Sequence, residues 1–356
     1  MTTLFDKLTL GSIELKNRIV MAPMTRSRAN DEGVQPDIVA EYYAQRASGG
    51  LLISEATNIS PMAKGYIKTP GIYTEEQIES WKPVTAAVHA KGGKIFMQVF
   101  HTGRIALPDL LPNNAQPVAP SAVKAAGQNY TESGMKDFVE PRALTTEEVK
   151  ETIGDFATAA KNAIAAGFDG VELHAASGYL AHQFLMQPVN QRTDEYGGSV
   201  ENRSRFVLET LEAMSAAIGS KRVGVKFSPN MPFNDIQEPD AEDVYRYLVT
   251  QLNDKDLAYV HVGDHANLGW HEKLRPLYSG VYIAGANFDK DRGEEYLAAG
   301  KADCIAFGVK FLANPDLPER FKQNAELNQP DQATFYGGGE TGYTDYPTLS
   351  TSAASA

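Results

Sequence analysis

The chain has 356 residues, long enough to bury a large core, with 42% hydrophobic and 22% charged residues, the balance of an ordinary globular protein. Lys and Arg number 33 against 45 Asp and Glu, so the net charge of −12 excludes a nucleic-acid-binding face and docking on anionic lipid. The single cysteine, Cys304, excludes an intrachain disulfide and a cysteine-built metal site, no apolar run approaches the roughly 20 residues of a membrane span, and a reducing, cytoplasmic setting is expected.

Taken in chain order, Leu8–Leu10 and Ile13–Leu15 read as a short hairpin around Gly11-Ser12, expected to plug a barrel floor. Eight β-branched, apolar runs bounded by turn residues follow, at 19–24, 51–57, 94–101, 170–176, 222–229, 258–263, 281–286 and 302–308. Each has the length of a buried strand. Helical patterns lie between them. In Glu75–Ala90, Ile78, Trp81, Val84, Ala87 and Val88 share one face. The stretch 146–166 carries Val149, Ile153, Phe156, Ala160 and Ile164 on one stripe. It opens on Thr145 with Glu148 three residues on, a capping-box signature. Weaker patterns cover Val200–Ile218, 241–253, 290–299 and 315–324. Strand–helix alternation means parallel strands with crossovers, and eight unbroken repeats favour an α/β fold of the closed (β/α)8 TIM-barrel type. Residues 105–142, after the third strand, are long and unperiodic and are expected to form a functional excursion. Residues 1–349 read as one domain, and the small, polar stretch 350–356 as a disordered tail.

Active sites of such barrels lie at the C-terminal ends of the strands. Those ends hold Pro23-Met24-Thr25, Ala56-Thr57, Gln98 with His101, His174 with Ser177 and Tyr179, Lys226, His261, Gly285, and Gly308-Val309. The loop after the fourth strand puts a donor pair and a phenol together; its plain alternative is a hydrogen-bonded loop with a packed tyrosine. His89, His182 and His271 read as surface or helix histidines, and His261 as a satisfied core group. No H-x-H or H-E-x-x-H spacing occurs, so no metal site is expected. Gly337-x-Gly339-x-x-Gly342 matches a dinucleotide fingerprint by letter, but it follows no strand and opens no helix, and reads as a turn cluster.

Several longer motifs are more specific. They are Lys16-Asn-Arg-Ile-Val-Met-Ala-Pro-Met-Thr-Arg26, Tyr42-Tyr-Ala-Gln-Arg-Ala47, Ser54-Glu-Ala-Thr57, His101-Thr-Gly-Arg104, Asn190-Gln-Arg-Thr-Asp-Glu-Tyr-Gly-Gly-Ser199 with Glu201-Asn-Arg203, Ala313-Asn-Pro-Asp-Leu317, and Tyr343-Thr-Asp-Tyr-Pro347. On these the chain resembles, from Leu4 to about Leu349, the Old Yellow Enzyme family of FMN-dependent ene-reductases, in particular the bacterial branch acting on N-ethylmaleimide and nitrate esters. The resemblance implies non-covalent FMN across the strand ends. It places Pro23, Met24 and Thr25 beside the ring, with Thr25 at the O4 edge, Ala56 and Gln98 against the ring, and Tyr336 on the substrate face. The backbone around Gly285-Ala286 and Gly308-Val309 would hold the phosphate. His174 would be the first donor to the substrate's oxygen and Tyr179 the proton donor.

The chain departs from the family pattern at four places. Ser177 replaces the usual Asn or His second donor, and Phe100 a frequent tryptophan. Lys226 replaces the arginine near the flavin's N1 and O2. Val309, followed by Lys310, replaces the phosphate-binding arginine. The implied activity is NADPH-driven reduction, with NADH possible, of small electrophilic alkenes or nitro compounds, by a monomer or weak homo-oligomer. Two alternatives stand beside it: a Schiff-base lyase using Lys226, and a degenerate or non-catalytic barrel.

Overall fold

In the computed structural model, which describes residues 1–350, the eight apolar runs form eight parallel strands. In order they are Ile19–Met21, Leu51–Ile53, Ile95–Phe100, Gly170–His174, Val223–Phe227, Tyr259–Gly263, Tyr282–Gly285 and Cys304–Phe307. Each pairs in parallel with the next, and the eighth pairs with the first through Ile305–Ile19, Ala306–Val20 and Phe307–Met21. The barrel is therefore closed, as expected. Strands are shorter than the apolar runs, which lose one or more residues at one or both ends to loops. The second run breaks in two, Leu51–Ile53 and Thr57–Asn58. Beyond Ser350 the expected tail lies outside the described residues.

The hairpin pairs Leu8–Leu10 with Ile13–Leu15 in antiparallel register. Leu10 and Leu15 are fully buried among Val20, Leu51, Ile53, Phe96, Tyr259, Ile283 and Cys304, which close the barrel floor. Gly11 holds φ +56, and a Cβ there would stand 2.0 Å from the Lys221 carbonyl oxygen, so the turn admits no side chain.

Between strands, helices lay one apolar stripe on the barrel. Thr146–Ala165 opens on the expected capping box: Thr145 Oγ1 accepts from Glu148 N–H, and Glu148 accepts from Thr145 N–H. Its buried residues include Val149, Ile153, Phe156 and Ala160. Glu75–Ala90 carries a second capping box, Thr74 with Gln77, and Val200–Ile218 is capped by Ser199. Ile38–Gln45 and three short helices, Leu180–Leu185, Trp270–Leu274 and Val309–Ala313, have too few residues to show a period. The excursion contains an antiparallel hairpin, Gln128–Thr131 with Gly134–Asp137, where the sequence shows no regular pattern. Its Ile105, Leu107, Ala125 and Phe138 pack over the end of the third strand, against Phe100 and Tyr179.

Removing the plug's anchor tests this account. Leu15→Ala leaves a cavity on the barrel floor, far from the strand ends, and is expected to lower unfolding free energy by about 2–5 kcal/mol, read by urea denaturation.

Candidate active site

The ends of the first, fifth, sixth, seventh and eighth strands border a cavity of about 420 Å³. Pro23, Met24, Lys226, Gly285, Ala286, Gly308 and Val309 all line it, so residues spread over nearly 290 positions of sequence meet at one place. Backbone forms much of its wall. Ala286 sits at φ +69, an uncommon conformation for a residue with a Cβ. Val309 is 43% exposed, an apolar side chain beside the cavity. Lys226 and Lys310 are the lysines in the lining. His265 and Asn287 also line it and were not singled out from sequence; the signal available was a polar run, Asp264-His265, directly after an apolar strand.

Lys226 lies in register with His174 on one side and His261 on the other. Burial lowers its pKa, and the charge of Glu172 works against that shift. Glu172 is fully buried. Its carboxylate accepts from Gln98 Nε2 at 2.8 Å and pairs with His261 Nδ1 at 2.9 Å. The core reading of His261 therefore holds, although the ring also borders the cavity.

At the end of the fourth strand, the rings of His174 and Tyr179 stand 4.9 Å apart and nearly perpendicular. Phe100 stacks on His174 and meets Tyr179 edge-on. Ala56 joins Phe100 and Tyr179 in one apolar cluster. His174 Nδ1 is buried without a hydrogen-bond partner among the described residues. Burial first, and the Lys226 charge second, hold the His174 pKa well below its ordinary value, so the ring is neutral at pH 7. The Tyr179 hydroxyl lies 3.0 Å from that of Tyr66. Burial, and then Tyr66, push the Tyr179 phenol well above 10. Tyr336, 70% exposed, is absent from the cavity lining but lies within electrostatic reach of both phenols. Thr25, partly exposed beyond the first strand, makes no side-chain hydrogen bond among the described residues.

Ser177 adopts φ +58. Its N–H donates to Ser228 Oγ at 2.8 Å, its carbonyl accepts from Asn234 Nδ2 at 2.9 Å, and its hydroxyl faces Met231 Sδ at 3.7 Å. The next residue, Gly178, donates to His182 Nδ1 at 3.0 Å. His182 Nε2 faces Glu238 Oε1 at 2.7 Å and the Tyr245 hydroxyl at 2.9 Å, and Glu238 Oε2 accepts from Asn230 N–H. The loop after the fourth strand is thus tied to the loop after the fifth.

Of the two readings of His182, surface or helix, the helix one holds: it is fully buried because its helix, Leu180–Leu185, is buried on every side. His271 is likewise a helix histidine, in Trp270–Leu274, and is buried with Nδ1 3.1 Å from the Tyr282 hydroxyl. His89 is exposed, as expected, and pairs with Asp169. Gly337–Gly342 forms turns, not a strand–helix junction. No group of three or more His, Cys, Asp or Glu able to hold a metal occurs among the described residues.

The profile of the NADH:flavin oxidoreductase / NADH oxidase family matches residues 3–328. The chain is 45% identical to 12-oxophytodienoate reductase 1 of Oryza sativa subsp. japonica over 352 residues, covering 96% of this chain and 91% of the relative. It is 44% identical to a probable flavin mononucleotide-dependent alkene reductase of Leishmania infantum over 349 residues, 96% of each chain. Among solved structures, morphinone reductase in complex with tetrahydroNAD superposes with TM-score 0.94 at 46% identity, over 98% of both chains. The Old Yellow Enzyme homologue of Zymomonas mobilis superposes with TM-score 0.95 at 40% identity, over 98% of this chain and all of the other.

The buried histidines set an acid limit on stability. Burial lowers His101 to about 3 and His271 to about 4, and also lowers His174 and His261. Unfolded histidines take up protons below about pH 6.5, while these folded ones stay neutral. Their contribution is therefore complete above pH 6.5 and is lost as pH falls towards 4. Glu55 and Asp155, shifted upward, oppose this. The urea midpoint is expected to fall between pH 7.5 and pH 5, with net proton uptake on unfolding; a midpoint independent of pH in that window would contradict the assignment.

Proposed function

The chain belongs to the NADH:flavin oxidoreductase / NADH oxidase family, and from that premise we propose that this FMN-dependent oxidoreductase reduces carbon–carbon double bonds conjugated to a carbonyl, imide or nitro group, and nitrate esters, with NADPH as the favoured reductant. The observation that carries the reading is the His174–Tyr179 pair: one unpartnered ring nitrogen and one protonated phenol at right angles on a single strand end.

The residues present suit a flavin. Gly285, Ala286, Gly308 and Val309 offer backbone at the seventh and eighth strand ends, where barrels of this type bind phosphate. Lys226 and Lys310 supply positive charge, and the orphaned His174 Nδ1 awaits a ligand atom. Pro23, Met24, Thr25, Ala56 and Gln98 would flank the ring, and the fully buried Cys304, on the barrel floor, is out of reach of a covalent link. When bound, FMN supplies the redox chemistry, passing a hydride from the nicotinamide to the alkene's β-carbon.

The protein supplies position and charge. Neutral His174 donates one N–H to the substrate's activating oxygen, in the manner of an oxyanion hole. Tyr179 keeps its proton at pH 7 and delivers it to the α-carbon; Tyr66, in hydrogen-bond contact, stands ready to replace it. Phe100, Leu107 and Phe138 exclude water around the phenol. Tyr336 would line the substrate face. Ser177, with its hydroxyl turned to Met231, is a weak second donor to the oxygen, so strongly activated imides and nitro compounds are favoured over simple enones.

We read residues 1–349 as one catalytic domain acting in the cytoplasm, as a monomer or weak homo-oligomer, on small molecules and not on nucleic acid. The net charge of −12 supports the last point, and no helix among the described residues is long and apolar enough to cross a membrane.

A spectrum of the purified protein separates the readings. Flavin bands released by denaturation, with no flavin mass left on the chain, support FMN held non-covalently. A colourless protein trapped by borohydride with a carbonyl compound would favour the Schiff-base alternative at Lys226, and a colourless, untrapped protein the non-catalytic barrel.

Tyr179→Phe keeps the ring and removes the proton. Flavin reduction by NADPH is expected to be nearly unchanged, and alkene reduction to slow by about 10²–10⁴-fold, least for maleimides, in stopped-flow half-reactions. Unaltered alkene reduction for every substrate would remove Tyr179 from the role.

Ser177→Asn offers a longer donor at a positive φ that asparagine tolerates. It is expected to raise kcat/KM for cyclohexenone with N-ethylmaleimide little changed. Equal cyclohexenone values in both proteins would leave Ser177 a purely structural loop residue.

A further inference from the structure

Ser177 and Gly178 lead the chain into Tyr179, and both stand in the left-handed region, at φ +58 and +78. None of their four backbone groups meets another backbone group among the described residues. Each meets a side chain instead. Ser177 N–H donates to Ser228 Oγ at 2.8 Å, and the Ser177 carbonyl accepts from Asn234 Nδ2 at 2.9 Å. Gly178 N–H donates to His182 Nδ1 at 3.0 Å, and the Gly178 carbonyl accepts from Gln183 Nε2 at 2.8 Å. Ser228, His182 and Gln183 are fully buried. A Cβ on Gly178 would stand 2.8 Å from the Asn234 Cβ, so this cradle closes on bare backbone.

His182 is itself held. A backbone N–H can only donate, so Nδ1 is the accepting nitrogen and the neutral ring carries its proton on Nε2. Nε2 faces Glu238 Oε1 at 2.7 Å, and the Glu238 side chain is 3% exposed. The Tyr245 hydroxyl donates to the same oxygen at 2.7 Å, and Asn230 N–H to the other oxygen at 2.7 Å. The carboxylate cannot turn away without stranding a donor, and it selects the tautomer that leaves Nδ1 open to Gly178. The next residue is Tyr179, whose ring meets His174 at 4.9 Å and Phe100 at 5.3 Å and whose hydroxyl lies 3.0 Å from that of Tyr66. A turn of the Gly178 peptide would swing the phenol out of that setting.

We propose that His182 is a positioning residue for the proton-delivery step: by fixing the Gly178 peptide it aims the Tyr179 hydroxyl at the substrate. It rests on the reading of Tyr179 as the proton donor and names what places that donor.

Two amide variants of the holoenzyme separate the two ring nitrogens. His182→Asn sets an amide oxygen near the position of Nδ1 and keeps an acceptor for Gly178. His182→Gln sets its amide near Nε2, keeps a donor for Glu238 and leaves Gly178 N–H unanswered. Both are compared with wild type in stopped-flow half-reactions, alone and combined with Tyr179→Phe. Flavin reduction by NADPH takes no proton from Tyr179 and is the control. Oxidation of the reduced flavin by cyclohexenone is expected to slow about tenfold to a hundredfold in His182→Gln, and to stay near wild type in His182→Asn. In the Tyr179→Phe background the two variants are expected to be equal, since an absent proton cannot be misplaced. No loss in His182→Gln, equal losses in both variants, slowing of both half-reactions together, or a His182→Gln loss that persists in the Tyr179→Phe background would each overturn the proposal. Should His182→Gln not hold flavin, Ser228→Ala makes a smaller cut in the same cradle. It is expected to slow cyclohexenone and not flavin reduction, and an unaltered cyclohexenone rate overturns the proposal. A Tyr179→Phe enzyme that reduces cyclohexenone as fast as wild type overturns the reading of Tyr179 itself, and this proposal with it.

Discussion

A carboxylate sealed inside a barrel must be answered by donors, and Glu172 is answered by two. Gln98, its register partner on the neighbouring third strand, and His261, two strands along on the sixth, both converge on it, and the charge of Lys226 on the fifth acts on it too. An uncompensated buried charge costs several kcal/mol, so the side chains that meet Glu172 have little freedom to turn elsewhere. Two of them, His261 and Lys226, line the cavity at the strand ends. The rigidity of the platform follows from that one buried group rather than from the loops above it.

Below Glu172 the barrel is apolar, and above it the chemistry begins. The floor is closed by leucines of the hairpin and by Phe96, Tyr259 and Ile283. The upper end is walled by aromatic rings set edge to face, with Phe100 between His174 and Tyr179. Neutrality of His174 and protonation of Tyr179 share one cause: each sits where its charged form would be poorly solvated. The walls that hold the two side chains also set their protonation.

The barrel was legible in the sequence because each strand is a short apolar run and each long helix has a stripe. The capping box at Thr145 marked the start of its helix to the residue. Short elements were not legible. Ile38–Gln45 and Leu180–Leu185 have fewer than nine residues, too few for a period to emerge. That is also why the burial of His182 left no mark in the sequence: burial on all sides leaves no amphipathic trace. Of the residues named at the strand ends, Pro23, Met24, Lys226, His261, Gly285, Gly308 and Val309 line the cavity, while Thr25, Ala56, Gln98, His174, Ser177 and Tyr179 do not. Tyr66, Asn234 and His265 lie in loops without a repeating pattern, and only the folded chain shows what they meet. The roles of Ser177 and Val309 came from departures from a family pattern, which mark a difference without stating its consequence.

The bonds among Gly178, His182, Glu238 and Asn230 join two loops that are some 50 residues apart in sequence. Asn234 bridges the same pair through the Ser177 carbonyl. Neither loop has its shape alone. A graft of one from a relative would break the buried His182 Nε2–Glu238 Oε1 contact and the Asn234–Ser177 bond, which tie the two together. The two loops form one structural unit, and recombination that respects single βα modules would cut through it.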